Sequence, residues 1–177
     1  MLPRRLLLLL APAALVLVGA TGCAPAPPAP APAVARTTPP PWDAPRDAVT
    51  AIAAAGLAAQ PLDYRPASRG TLHLTVSYGG RTVPVPARIG EDRLRALTAG
   101  LHTHDESATV YLEPPPGPEA DRPYTLGQLF TLWEVRLSER CLAGRCDGVR
   151  VTVDGAAVTG PAPEVPLLAG TEVRVEG

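Results

Sequence analysis

Leu101-His102-Thr103-His104-Asp105-Glu106-Ser107-Ala108-Thr109-Val110-Tyr111-Leu112-Glu113 is the stretch on which the reading of this chain turns. Both ends alternate in polarity around a small, polar middle, the pattern of two strands joined by a tight turn. Two of the chain's three histidines stand here, one residue apart. Residues i and i+2 of a strand share a face, so both imidazoles point the same way. Register decides the rest. With Glu106-Ser107 as a two-residue loop, His102 faces Tyr111 and His104 faces Thr109. Leu101, Thr103, Val110 and Leu112 then share the buried side. A three-residue loop slips the pairing by one and sets the histidines beside Val110 and Leu112. The two-residue reading keeps the polar groups together and is the one expected.

Upstream, Thr71 to Ser77 alternates cleanly, with Leu72, Leu74 and Val76 on one face and Thr71, His73, Thr75 and Ser77 on the other. Gly79-Gly80 marks a turn and Thr82 to Val85 a return strand, which Pro84 and Pro86 place at an edge. The third histidine, His73, thus lies on the polar face of this first hairpin. Glu91 to Ala99 reads equally as a short helix or an irregular connection. Before the first hairpin, residues 44–57 read as a helix, with Asp43 as N-cap, Pro45 in the first turn and Gly56 as the stop.

Downstream, Thr125-Leu126-Gly127-Gln128 opens the main helix, about 125–135, as a capping box. Phe130 and Trp133 are its expected core anchors, and Gly127 in the first turn implies a close approach to a strand. Val149, Val151 and Val153 alternate with Arg150, Thr152 and Asp154, a turn follows at Gly155, and Thr171 to Glu176 closes the chain as another strand. These elements predict an α+β fold: antiparallel hairpins form a sheet, wet on one side, packed on one main helix.

The N-terminal part reads as an address. Arg4-Arg5 precede an apolar run from Leu6 to Val18, shorter than the ~20 residues of a membrane span but suited to a signal peptide. Ala20-Thr21-Gly22-Cys23 resembles the lipobox of bacterial lipoproteins, in which the Cys receives a diacylglycerol and becomes the mature N-terminus. The resemblance implies a signal peptide over 1–22, lipidation at Cys23, and a place on the extracytoplasmic face of the cell membrane. Residues 23–42 form an Ala/Pro-rich tether. Proline fixes φ and removes amide donors, and at about 3.1 Å per residue the repeat spans on the order of 50 Å. The N-terminal helix region then covers 43–60 and a single α+β domain 61–177.

Composition removes one class of partner. The 177 residues carry a net charge of -1 with no long charged run, and one Phe and four Tyr are too few for a base-stacking surface, so nucleic acid is not expected.

From roughly Leu57 to the C-terminus the chain resembles an uncharacterised family of exported bacterial proteins, mostly actinobacterial, with a His-Leu strand before a Gly turn, here His73-Leu74. Its members share LHTHD, here Leu101 to Asp105, and a TLGQ-F-F-x-x-W helix, here Thr125 to Trp133. They also share a closing V-x-V-x-G, here Val151 to Gly155, and a strand ending at the place of Glu113-Pro114. Members usually carry further histidines where this chain has Arg69 and Thr71, His at the place of Tyr111, and Gly at the place of Ala108. The resemblance implies a histidine cluster and no particular activity.

Two chemistries stay open at the candidate site. His73, His102 and His104, completed by Tyr111, Glu113 or Asp105, suit Zn(II) or Cu(II) with an open position. The same histidines can equally be hydrogen-bonded polar residues that hold two hairpins together. Cys141 and Cys146 are expected to form a disulfide in an oxidising compartment, with Cys23 the odd thiol. Their rival use is a Cys2His2 zinc site with the HxH pair. HExxH, GxSxG and phosphate-binding glycine loops are absent, so catalysis is not expected. The leading expectation is a membrane-anchored binding module with a transition metal as its candidate ligand; the alternatives are a structural or interaction lipoprotein of the envelope and, last, a metal-dependent enzyme.

Overall fold

The structure, a computed structural model, describes residues 35–177. The expected signal peptide, Cys23 and the tether as far as residue 34 lie outside the described residues. Helix α1 spans Ala48–Ala54, followed by β1 (Gln60–Pro61), β2 (Gly70–Tyr78), β3 (Arg81–Val83), β4 (Glu91–Asp92) and β5 (Leu97–Thr98). Then come β6 (Leu101–His102), β7 (Thr109–Leu112), helix α2 (Leu126–Leu132), β8 (Arg150–Val153), β9 (Ala156–Ala157), a 3-10 turn at Ala162–Glu164, and β10 (Glu172–Glu176). The α+β class is as expected.

The main sheet runs β6-β7-β2-β10-β8-β9, with β3 also paired to β2. Alternation places Leu72, Leu74 and Val76 of β2 inward, where Val76 pairs with Val83 on one side and Val175 on the other, and Val175 pairs with Val151. Such rows of directly opposed β-branched side chains hold the strands in register. Thr71, His73, Arg150, Arg174 and Glu176 stay exposed on the opposite face. One pairing departs from the antiparallel expectation: β10 lies parallel to β2. Alternation records which face a residue takes and says nothing of strand direction, so this pairing was invisible in the pattern.

The predicted main helix is shorter than 125–135, but its capping box is present: Thr125 accepts from the Gln128 amide and the Gln128 side chain accepts from the Thr125 amide. Phe130 and Trp133 are fully buried, as expected. Gly127 does approach another segment closely, though not a strand. A Cβ there would lie 2.8 Å from the Pro163 carbonyl oxygen and 2.9 Å from its Cβ. Helix α1 begins later than expected, because Asp47 rather than Asp43 caps it through the Thr50 amide and hydroxyl. Gly56, at φ +69, ends it as expected, with the Gly56 and Leu57 amides bonded to the Ala53 and Ile52 carbonyls.

Two further stretches differ from the sequence reading. Glu91 to Ala99 is neither helical nor irregular: β4 and β5 form a hairpin that pairs with β1 as a second, three-stranded sheet. Asp92 makes the turn by accepting from the Arg95 amide, which lets Ala96 adopt φ +53. Residues 35–42, read as the end of the tether, lie against the domain. The Arg36 amide donates to Glu134, the Arg136 amide donates to Arg36, and Trp42 is buried edge-on against Trp133 and Tyr78. Proline-rich composition hid the one large apolar side chain that docks the segment.

Gly127 gives a discriminating test. Helix propensity alone predicts that Gly127→Ala stabilises the chain by up to about 1 kcal/mol. The contact with Pro163 predicts the opposite, a loss of about 1–3 kcal/mol from overpacking, read as a lower urea midpoint. A raised midpoint would show that the 3-10 turn yields freely.

Candidate metal centre

The expected two-residue register holds where β6 and β7 pair: His102 faces Tyr111 and Leu101 faces Leu112. Strand pairing stops there, and the chain at His104 turns away to meet Glu91. Thr103 directs this turn. Fully buried, it donates from Oγ1 to the Pro86 carbonyl and accepts at Oγ1 from the Ile89 amide. Its own amide donates to Ile89 and its carbonyl accepts from Arg88. Four hydrogen bonds thus tie residues 86–89 along the free edge beyond β6. Gly90 then passes so close that a Cβ would stand 2.6 Å from the Leu101 carbonyl oxygen, and its φ of +76 suits glycine. That passage delivers Glu91 to the histidines.

Glu91, His102 and His104 offer ligand atoms that all lie within 4.8 Å of one another, a group that can hold a metal ion. His102 Nδ1 lies 2.8 Å from the Ala99 carbonyl oxygen, and His104 Nδ1 bonds to Glu91 Oε1. A carbonyl oxygen has no proton to give, and a carboxylate accepts, so each Nδ1 is the donor. Where both rings are neutral each Nε2 keeps a lone pair, and the two Nε2 atoms face each other at 3.3 Å. Such a pair calls for an electrophile between or beside them, a proton or a cation. A histidine whose far nitrogen donates to a carboxylate or backbone carbonyl is the usual arrangement of a metal-ligating imidazole.

Burial, and after it the adjoining His104, hold the His102 pKa below the ordinary imidazole value, against the bond to Ala99, which raises it. Neutral imidazole is the form that ligates. The Glu91 side chain is 1% exposed and also meets Arg93 Nε at 3.5 Å, while the His104 side chain is 43% exposed. The group therefore has a closed back and an open front. Tyr111 stacks parallel on His102 at 5.4 Å and tilts against His104 at 4.3 Å, fixing both rings.

The remaining predicted residues go elsewhere. His73 is exposed on β2, paired with Thr109 and Glu172, and is not in the group. From His102, the β2 strand lies two spacings away across β7, roughly 10 Å. Asp105 is exposed, and the Ser107 hydroxyl and then the Ser107 amide, which donates to it, hold its carboxyl below the usual range. Glu113 pairs with Arg69 at 3.2 Å. Cys141 and Cys146 are bonded to each other, so they are not zinc ligands alongside the HxH pair. Glu91 was missed because it lies eleven residues before His102 in a stretch without periodicity. The one signal was Gly90 immediately before it.

No family model matches the chain, and neither a curated protein nor a solved structure matches it.

Thr103 supplies the test of this geometry. Thr103→Val keeps the shape but strands the Ile89 amide and the Pro86 carbonyl, and is expected to cost about 2 kcal/mol in denaturant unfolding. Thr103→Ser, which keeps the hydroxyl, should recover most of that; equal losses would point to packing rather than hydrogen bonding.

Proposed function

We propose that this chain is a metal-binding module held by a lipid anchor at Cys23 on the extracytoplasmic face of the membrane. The observation that carries the metal reading is the pair of Nε2 atoms facing each other while both Nδ1 groups are committed elsewhere. A separation of 3.3 Å is long for a shared proton. In a tetrahedral zinc site with bonds of about 2.0–2.1 Å, two nitrogens stand about 3.3–3.4 Å apart; neighbouring ligands of a square-planar copper site stand about 2.8–2.9 Å apart. The separation matches the tetrahedral spacing, so zinc is the ion proposed here. His102 and His104 ligate through Nε2, and Glu91 orients His104 and offsets the charge of the ion. The remaining positions face the open front of the group. The leader over 1–22 and the Cys141–Cys146 disulfide support an oxidising location outside the cytoplasm. Catalysis is no part of this proposal.

Metal analysis of the purified full-length chain tests the reading. One zinc per chain is expected for the wild type, with loss of stoichiometric binding in His102→Ala and His104→Ala. Glu91→Gln is expected to weaken binding on the order of 10- to 100-fold. Near-zero metal in every preparation after incubation with zinc would sink it. For the anchor, Cys23→Ala should move the chain from the membrane fraction to the soluble one; unchanged fractionation would overturn that half.

A further inference from the structure

The front of the metal group opens into a cleft of about 870 Å3. Three arginines, Arg46, Arg88 and Arg93, and four carboxylates line it, so its formal charge is one negative. A divalent ion beside His104 reverses that sign. The carboxylates differ in their commitments: Glu91 is bonded to His104 and Arg93, and Asp92 to Arg95. Among the described residues, Arg46 and Arg88 make no ion pair.

Arg88 is also the better placed of the two. Its amide bonds to the carbonyl of Thr103, the residue between the two histidines, and its backbone is held at φ +66, a conformation that side-chain-bearing residues rarely adopt. The clamp that builds the metal group therefore fixes the backbone from which this side chain joins the wall of the cleft. A planar guanidinium with no carboxylate of its own suits the paired oxygens of a carboxylate or phosphate.

We infer that the cleft takes a small oxyanion ligand, a carboxylate or a phosphate, one oxygen of which completes the shell of the ion while Arg88, assisted by Arg46, holds the others. This rests on the metal reading above and extends it: the ion gives the cleft its attraction for anions, so anion binding depends on metal.

Calorimetric titration of the full-length chain with acetate and with inorganic phosphate separates the two readings. The zinc-loaded wild type is expected to bind at least one of these anions at a single site. Acetate alone identifies a carboxylate ligand, and phosphate alone a phosphate ligand. Affinity should fall at least tenfold in the zinc-free chain and in Arg88→Ala, with zinc content of that variant unchanged, and Arg88→Lys should restore part of it. A chain that holds zinc but binds neither anion overturns this inference and leaves the metal reading standing. Equal affinity with and without zinc, or in Arg88→Ala, overturns it as well. A chain that takes up no zinc overturns both.

Discussion

The four hydrogen bonds made by Thr103 tie the segment 86–89, which leads into β4, to the end of β6 and set the geometry at the open end of the fold. A strand edge such as β6 would otherwise present unpaired amides and carbonyls to solvent, a hazard that covering segments remove. Here residues 86–90 do the covering, and in doing so they close over the outer face as well. Leu101, His102 and Thr103 are consequently all buried, although alternation would leave the middle one exposed. An imidazole in that position must have both nitrogens provided for, since an unmatched buried polar group costs about 1–3 kcal/mol. One nitrogen has the Ala99 carbonyl. The other has only His104.

How far the sequence could be read follows from what each signal encodes. The β2–β3 hairpin and the α2 capping box were legible because alternation and capping are local, and Gly79-Gly80 and Thr125 sit where the local rules demand them. The HxH pair was legible as a shared face, and the register at His102 followed from keeping polar groups together. Glu91 was not, because its role comes from Gly90 passing over Leu101, a tertiary approach with no periodic trace. His73 entered the expected ligand set as the third histidine of the chain. Its own strand sets it beyond β7, and the third member of the group is Glu91, bonded to His104.

The central position of β10 has a related lesson. Its valines complete the inner rows of β2 and β8, yet it arrives last and parallel to β2. Nearly all of the chain between β2 and β10, including both halves of the metal group, is therefore enclosed between two strands that lie side by side. Such non-local pairing is slow to form, because a long loop must close before the contact is made. Ordering of the site and closure of the sheet are in this sense one event.

The docking of residues 35–42 changes how the fold meets a mechanical load. A pull from the N-terminal side reaches the domain first at Arg36, which is bridged to Val135 by hydrogen bonds to Glu134 and Arg136 and by an ion pair to Glu134 at 3.5 Å. Only after these part would force arrive at Trp42, whose carbonyl takes the Trp133 indole proton at 2.9 Å. A load on residues 35–42 would thus be taken up first at Arg36 and at residues 134–136, just after α2, before it reached the strands that carry the histidines.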